Sequence, residues 1–253
     1  MDGNRTRIRI AVIGTENANT PLKAQDGMSS LTAETAKRFD ELGAETITYK
    51  PAEDGKDLPG LGACDAIVIG GSKLNIRDED LHENPWMHTL LDFIGECHGE
   101  VPMLGICFGH QAIARRFGVK VQSFGPDIVY GGGFSQVSLT EDGKKDALFA
   151  GMPDEFAALF SHFYYVPQPP ESGTALLCGI NPGVHAFRVG ERTWGVQYHP
   201  ELTVSSARWL LSQKREALEA KGVDVNAMIE SLSSGPRIDN LVLNNFAEIV
   251  KKG

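Results

Sequence analysis

Residues 102–111 read PMLGICFGHQ, an apolar run that leads into a cysteine with a glycine two residues away on either side. The apolar residues 101–104 predict a short strand, and the helical pattern that follows predicts a helix that begins near Phe108 and ends by Gly118. A strand, a G-x-Cys-x-G turn and a helix in this order are typical of a nucleophile elbow, with Cys107 as the nucleophile. The segment therefore predicts an α/β architecture with a reactive thiol at the carboxyl end of a strand.

The residue types of this motif have a physical reason. Larger side chains two residues before and after Cys107 would collide with the neighbouring strand and helix, so both places need glycine. The N-terminal end of the following helix favours a thiolate at this position, and the backbone N–H groups just after it can hold an oxyanion. The alternative is a buried core cysteine, since free cysteine is among the most buried residue types. The flanking glycines favour the catalytic interpretation.

The rest of the first half of the chain predicts alternating strands and helices. The strands are expected at residues 8–13, 46–49 and 66–69, and the helices at 29–42 and 85–97. This alternation predicts an α/β fold with a mostly parallel central sheet flanked by helices, a flavodoxin-like three-layer sandwich. Fully apolar strands of four residues fit a sheet that is covered on both faces.

The second half of the chain has a different texture. Residues 120–196 contain short, often alternating apolar segments that predict added antiparallel strands, the last of which ends just before Tyr198 and His199. Residues 204–251 predict two or three helices with breaks at Gly222 and at residues 233–236.

The composition limits the classes of function. The chain has 253 residues, of which 24 are Lys or Arg and 33 are Asp or Glu, so its net charge is -9. This balance argues against a nucleic-acid-binding surface, which needs clustered cations, and against binding to an anionic membrane. The hydrophobic content of 42% allows a sizeable core. Because no change in composition resembles a linker, we expect a single domain over residues 1–253.

Cysteine usage and the N-terminal sequence indicate a compartment. Four cysteines without a C-x-x-C pair are too sparse for a disulfide scaffold and do not support a zinc site. Residues 1–14 lack the apolar segment of a signal peptide, and no run of about 18 apolar residues predicts a membrane span. We therefore expect a cytoplasmic protein with free thiols and no metal.

A thiol nucleophile needs a base, and His199 is the favoured candidate among the histidines. It follows an apolar strand, and Glu201 two residues later can turn toward the same site and orient the imidazole. An ordinary loop is the alternative interpretation of this segment. His110 lies close to Cys107 in sequence, but we expect its side chain to point away from the elbow. The histidines considered are His82, His88, His98, His110, His162, His185 and His199.

Together these motifs resemble the class I (triad-type) glutamine amidotransferase family. The resemblance lies in residues 105–111, GICFGHQ, and residues 197–201, QYHPE, and in their order and separation. It extends to residues 67–72, IVIGGS, which look like the family's oxyanion loop, and to residues 161–162, Ser-His, which look like its substrate-carboxylate loop. It covers most of the chain, residues 8–201.

The resemblance implies a catalytic triad and an oxyanion hole. Cys107 attacks the γ-carbonyl of a γ-glutamyl substrate, His199 accepts the thiol proton and later protonates the departing amine, and Glu201 orients His199. The backbone N–H groups of Gly71 and Phe108 stabilise the tetrahedral oxyanion. A γ-glutamyl thioester forms and water resolves it to glutamate. Because thiol acyl transfer requires neither a metal nor an organic cofactor, we expect none.

The resemblance also implies a substrate-binding set. Gln111 contacts the amino-acid head of the substrate, the backbone of Ser161 and His162 holds its α-carboxylate, and Gly70 belongs to the same set. In similar proteins the position two residues after this histidine is commonly Asp, whereas this chain has Tyr164. This departure bears on substrate binding or on coupling to a partner.

Three functions remain open at this point. The chain could be a stand-alone γ-glutamyl hydrolase, a glutaminase subunit that delivers ammonia to a separate synthase, or a non-catalytic binding module of the same fold. The presence of all three triad residues disfavours the last. No P-loop motif occurs, so the chain has no sequence signal for making an aminated product alone. The polar residues 72–85 and Tyr164 favour the hydrolase and a substrate other than free glutamine.

Overall fold

The computed structural model describes residues 7–16, 30–54, 57–124, 131–234 and 241–253. Its first half alternates strands and helices, as the sequence predicts. The strands are β1 (Arg9–Ile13), β2 (Glu45–Tyr49), β3 (Ala66–Ile69) and β4 (Met103–Ile106). The helices are α1 (Leu31–Glu41), α2 (Pro51–Asp54), α3 (Asp78–Glu83), α4 (Trp86–Cys97) and α5 (Phe108–Arg116). Ser29, where the first helix was expected to begin, lies outside the described residues.

The second half adds strands and a helical tail. The strands are β5 (Gln122–Ser123), β6 (Gly131–Leu139), β7 (Glu155–His162), β8 (Tyr164–Tyr165), β9 (Gly173–Gly179), β10 (Ala186–Val189) and β11 (Thr193–Val196). The helices are α6 (Val204–Glu219), α7 (Val225–Ser234) and α8 (Leu241–Lys251). Gly222 breaks the tail between α6 and α7, as predicted. The second predicted break includes Gly235 and Pro236, which lie outside the described residues.

The main sheet combines a parallel half and an antiparallel half. In the described chain its nine strands have the order β2-β1-β3-β4-β11-β10-β9-β6-β7. The first five are parallel to one another, and the pairs from β11 to β7 are antiparallel. Strands β5 and β8 form a separate antiparallel pair. The predicted α/β class with added antiparallel strands is confirmed.

Both faces of the parallel half are covered by helices. Successive side chains of a strand point to opposite faces. In β1, Ile10 and Val12 pack in a cluster with residues of α1 and α8, whereas Ala11 and Ile13 pack in another with residues of α4 and α5. All four side chains are fully buried. The sheet is therefore the middle layer of a three-layer sandwich, as its apolar strands predict.

The predicted boundaries of β4 were wrong by two residues. The sequence predicts a strand at residues 101–104, but the strand continues through Gly105 and Ile106. Gly105 is paired with Ile69 on one side and with a glycine of β11 on the other. Glycine has a low intrinsic strand preference, but pairing with a strand on each side overrides it. The strand therefore ends at the residue before Cys107.

The helical tail leans against the carboxyl end of the parallel strands. Thr203 caps α6: its side chain accepts from Ser206 N at 3.1 Å, and Ser206 Oγ accepts from Thr203 N at 3.0 Å. The buried face of α6 packs with Leu31 of α1 and Leu159 of β7. Side chains of α6 can consequently reach the edge of the sheet where β4 ends. None of the helices in the described part of the chain is long and apolar enough to cross a membrane.

Candidate active site

Three neighbouring parallel strands carry the predicted site residues. Strand β4 lies between β3 and β11, and Ile106 at its end is paired with Val196 at the end of β11. Because parallel strands end at the same edge of the sheet, the segments that follow them come together there. The segment after β4 is the cysteine turn, that after β11 leads to His199, and that after β3 is Gly70-Gly71.

The backbone at Cys107 is held in a strained conformation. Its φ of 52° and ψ of -97° make it the one non-glycine residue with positive φ in the described chain. Such a conformation costs about 1–3 kcal/mol and persists where surrounding structure enforces it. Here Cys107 N donates to Val196 O at 2.8 Å, and Cys107 O accepts from Gln111 N at 3.2 Å. The residue thus joins β11 to the first turn of α5 and lies at the N-cap of that helix.

Glycine is required on both sides of this turn. A Cβ added at Gly105 would lie 2.4 Å from the backbone carbon of Gly109. A Cβ added at Gly109 would lie 2.2 Å from the backbone oxygen of Ile69. Strand, turn and helix therefore pack backbone against backbone, and this close approach sets the direction in which the Cys107 side chain leaves the turn.

We expect Gly109→Ala to destabilise the fold by about 1–3 kcal/mol or more, because its methyl group meets backbone that cannot move aside. This cost exceeds the gain of about 1 kcal/mol that alanine has over glycine in a helix. Urea unfolding of the purified variant measures the difference. Gly60→Ala is the control, since nothing lies within 4 Å of its added Cβ. Equal stability of the two variants would contradict the proposed close packing.

The structure brings His199 and Glu201 together in the interior. His199 Nδ1 lies 2.7 Å from Glu201 Oε1, and both side chains are buried. The backbone of this segment is tied at two points. His199 N donates to Leu159 O at 2.9 Å, and Arg38 Nε of α1 donates to Glu201 O at 3.0 Å. The imidazole is consequently oriented by a carboxylate that is itself held in place.

His199 faces the cysteine turn and the Gly-Gly loop. A Cβ added at Gly71 would lie 3.1 Å from His199 Cε1 and 3.7 Å from Cys107 Cβ. His199 Nε2 has no hydrogen-bond partner among the described residues. Burial alone would lower the pKa of His199, but the charges of Glu201 and the Cys107 thiol outweigh burial and raise it above its usual value. The environment therefore stabilises an imidazolium next to the sulfur.

Two hydroxyl side chains hold the Gly-Gly loop. Thr15 Oγ1 donates to the carbonyl oxygens of Gly70 and Gly71, at 3.2 and 2.9 Å, and Ser72 Oγ donates to Thr15 O at 2.7 Å. A trans peptide directs its N–H away from its C=O. With the Gly70 carbonyl on Thr15, the Gly71 N–H points away from Thr15. Gly70 N donates to Ile13 O at 3.1 Å, so both backbone groups of Gly70 are used inside the loop.

An open cavity lies beside Cys107 and contains about 280 Å³ of empty space. Of the residues that the sequence assigns to substrate binding, Gln111, Ser161 and His162 line it, whereas Gly70 does not. Phe108 also lines it. The full lining among the described residues is Ser72, Lys73, Leu74, Asn75, Cys107, Phe108, Gln111, Ser161, His162, Phe163 and Lys214.

The polar side chains of the cavity are fixed by one another. Gln111 Nε2 donates to Tyr164 O at 2.9 Å and to Gln197 Oε1 at 3.1 Å. The Nδ1 of His162 bonds to the same Tyr164 carbonyl at 2.8 Å. Burial lowers the pKa of His162 to about 3, so this imidazole is neutral near pH 7. Tyr164 thus serves the site through its backbone, which any residue at this position can supply.

Two other regions singled out by the sequence have defined places. His110 is fully buried and packs on Phe187 with 4.7 Å between ring centroids, away from the elbow as expected. The polar segment 72–85 contains α3, and its Asp78 is paired with Arg115 of α5. Within the described residues, no group of three or more His, Cys, Asp or Glu is arranged to hold a metal ion.

Comparison with known proteins identifies the family. The model of the class I glutamine amidotransferases matches residues 24–214. This chain belongs to the class I glutamine amidotransferase family. Among curated relatives of this amidotransferase is the GMP synthase (glutamine-hydrolyzing) of Porphyromonas gingivalis, 30% identical over 66% of the chain and 30% of that protein. A separate subunit of the glutamine-hydrolyzing GMP synthase of Methanopyrus kandleri is 31% identical over 66% of the chain and 81% of that protein.

Solved structures of amidotransferases share the fold. A glutamine amidotransferase from Thermotoga maritima has a TM-score of 0.78 at 19% identity and covers 98% of this chain and 100% of its own. One from Methylobacillus flagellatus has a TM-score of 0.64 at 18% identity, with 98% and 94% covered. The amidotransferase chain spans 30% of the length of the Porphyromonas relative, so that protein's complete activity is not carried over.

Sequence reasoning missed several residues of this amidotransferase site. Thr15 and Ser72 hold the Gly-Gly loop, Arg38 holds the Glu201 backbone, and Lys214 reaches the cavity from α6. A sequence signal existed for the first two, because both follow parallel strands at the carboxyl edge. Arg38 and Lys214 carry no such signal, since a charged residue on a helix is usually solvated.

Proposed function

We propose that the chain hydrolyses a γ-glutamyl amide, glutamine or a related compound, through a γ-glutamyl thioester. The observation that carries this proposal is the buried His199–Glu201 pair, 2.7 Å between Nδ1 and Oε1, beside a cysteine with positive φ. A thiol on an elbow, a base and a carboxylate that orients the base form the arrangement needed for nucleophilic acyl transfer.

In the proposed reaction, Cys107 Sγ attacks the γ-carbonyl carbon and its proton passes to His199 Nε2. The oxyanion is stabilised by the N–H groups of Gly71 and Phe108, the latter being the first residue of α5, whose N–H has no intrahelical acceptor. His199 then gives the proton to the leaving nitrogen, and the C–N bond breaks to leave the thioester. Water, deprotonated by His199, attacks the thioester carbonyl and releases glutamate and the free thiol.

The substrate is proposed to occupy the cavity beside Cys107. Gln111, Ser161 and His162 line it and are suited to bind the polar amino-acid head. Gly70 contributes indirectly, because its two hydrogen bonds shape the loop that presents Gly71. These roles rest on the resemblance to the family together with the position of each residue.

A second candidate role concerns the fate of the ammonia. The Methanopyrus relative is a subunit of a glutamine-hydrolyzing synthase, and the chain spans 81% of its length. This favours glutamine as substrate and a separate synthase as recipient of the ammonia. The alternative, a stand-alone hydrolase of other γ-glutamyl compounds, is favoured by the polar segment 72–85 next to the cavity.

Turnover assays separate these roles. The purified chain is incubated with glutamine and with a panel of γ-glutamyl amides and peptides, and released ammonia, amine and glutamate are measured. We expect glutamate from at least one substrate. Turnover of glutamine alone supports the glutaminase role, and turnover of the other compounds with glutamine left intact supports the stand-alone hydrolase.

A labelling experiment covers a chain that needs its partner for turnover. A glutamine-like electrophile such as 6-diazo-5-oxo-norleucine is expected to modify Cys107 stoichiometrically, as read by mass spectrometry of peptides. Absence of both turnover and labelling would refute the proposed function and favour the non-catalytic binding module.

A further inference from the structure

Lys214 joins the cavity from a helix that the predicted site does not include. It lies on α6, and its Nζ donates to Ser161 O at 3.1 Å and to Ser161 Oγ at 2.9 Å. It is partly buried and lines the same cavity as Cys107. A lysine ammonium is thus placed between α6 and the end of β7, beside the space that receives the substrate.

The charge of this cavity is opposite to that of the whole chain. The net charge of the protein is -9, yet the described residues that line the cavity include two lysines, Lys73 and Lys214, and neither Asp nor Glu. The nearby carboxylate that acts on Lys73 is Glu16. Glu16 already accepts hydrogen bonds from Leu31 N, Thr32 N and Thr32 Oγ1, at 2.8, 3.0 and 2.7 Å.

The two ammonium groups act on each other in the cavity. Burial, together with the positive charge of Lys73, lowers the pKa of Lys214 to about 8, although the Cys107 thiol acts in the other direction. Burial also lowers the pKa of Lys73 below its usual value. Desolvation and like-charge repulsion both disfavour the two charges in the empty cavity, and an anion bound near them relieves both.

We propose that Lys214 is a specificity-determining residue that binds a carboxylate of the substrate, with Lys73 adding to the attraction. The inference deepens the proposed function and rests on it, since it names the group by which the cavity selects its substrate. The carboxylate is the α-carboxylate of the γ-glutamyl unit, because Lys214 is hydrogen-bonded to Ser161, which lines the cavity together with Cys107. A charge-assisted hydrogen bond of this kind fixes orientation as well as affinity.

Lys214→Met keeps the length of the side chain and removes the charge. We expect kcat/KM for glutamine to fall roughly 10–100-fold, mainly through KM, the range for loss of a hydrogen bond to a charged group. The α-carboxamide of glutamine lacks the carboxylate, so its kcat/KM is expected to change little. If Lys214 only positions Ser161, both substrates lose equally. Lys37→Met is the matched control, because Lys37 is an exposed lysine of α1 and is expected to leave both values unchanged.

A second measurement does not depend on turnover. Iodoacetate is an anion and iodoacetamide is neutral, and each alkylates the Cys107 thiolate with formation of an S–C bond and release of iodide. We expect the ratio of the iodoacetate rate to the iodoacetamide rate to fall in Lys214→Met, to fall less in Lys73→Met and to stay unchanged in Lys37→Met. Added salt lowers the ratio in the wild-type chain.

The two experiments separate two kinds of failure. If the wild-type chain hydrolyses glutamine but Lys214→Met changes neither the alkylation ratio nor the substrate preference, the role of Lys214 is refuted and the proposed function stands. If no γ-glutamyl substrate is turned over but the alkylation ratio falls as expected, the anion site stands and the proposed function fails.

Discussion

Cys107→Ala is expected to lower the rate of γ-glutamyl hydrolysis by about 10⁴–10⁶-fold, the range seen when the nucleophile of a triad is removed. The thioester cannot form without the sulfur, and what remains comes from binding and the oxyanion hole. The alanine retains the Cβ atom and leaves the turn between β4 and α5 intact, so the loss reflects chemistry and not folding. Single-turnover and steady-state assays on variant and wild-type protein measure the change, with circular dichroism as a check on the fold.

The other cysteines provide the control. Cys178 is exposed and lies on β9, far along the sheet order from β4. Cys178→Ala should therefore retain full activity, and its thiol should react independently of glutamine-like reagents. The site assignment is wrong if turnover survives in Cys107→Ala or if Cys64, Cys97 or Cys178 is the essential thiol.

Glu201→Gln is expected to reduce kcat by about 10⁴-fold, as for loss of the carboxylate in a comparable triad. Glu201 is fully buried and its Oε1 lies 2.7 Å from His199 Nδ1. With its charge removed, burial becomes the strongest influence and lowers the pKa of His199 instead of the net increase. The imidazolium that stabilises the thiolate is then disfavoured, so residual activity should move to more alkaline pH.

The pH profile separates this effect from a loss of stability. A variant that is merely less stable loses activity at every pH, whereas loss of the carboxylate changes the shape of the profile. Glu216→Gln, on the exposed face of α6, is the control and should behave as the wild type. A loss smaller than about 10²-fold with an unchanged pH profile would contradict the role of Glu201.

Local sequence features were sufficient for the nucleophile elbow. Residues 102–111 contain an apolar strand, two glycines around Cys107 and a helical pattern, and each is a short-range property. The steric need for glycine follows from the turn itself, and the distances from Gly105 and Gly109 to neighbouring backbone have that origin. The end of β4 was misplaced because pairing with β3 and β11 extends the strand through a glycine.

The pair His199 and Glu201 illustrates the next level. Their spacing of two residues allows both to face one site, and the structure realises this with both side chains buried. Whether the pair faces Cys107 depends on β11 being the neighbour of β4, although about 90 residues separate the two motifs in sequence. The family resemblance, and not the spacing, supplied that expectation.

The sequence alone established the fold class, the cysteine on its turn and the candidate base, because these follow from hydrophobic periodicity, glycine sterics and short spacings. Tertiary structure alone decided which distant polar groups support them. Thr15, Arg38 and Lys214 meet the site from three different elements, and Gly70 is used within its own loop. Such contacts depend on how strands and helices are placed relative to one another, and no local pattern of residues encodes that placement.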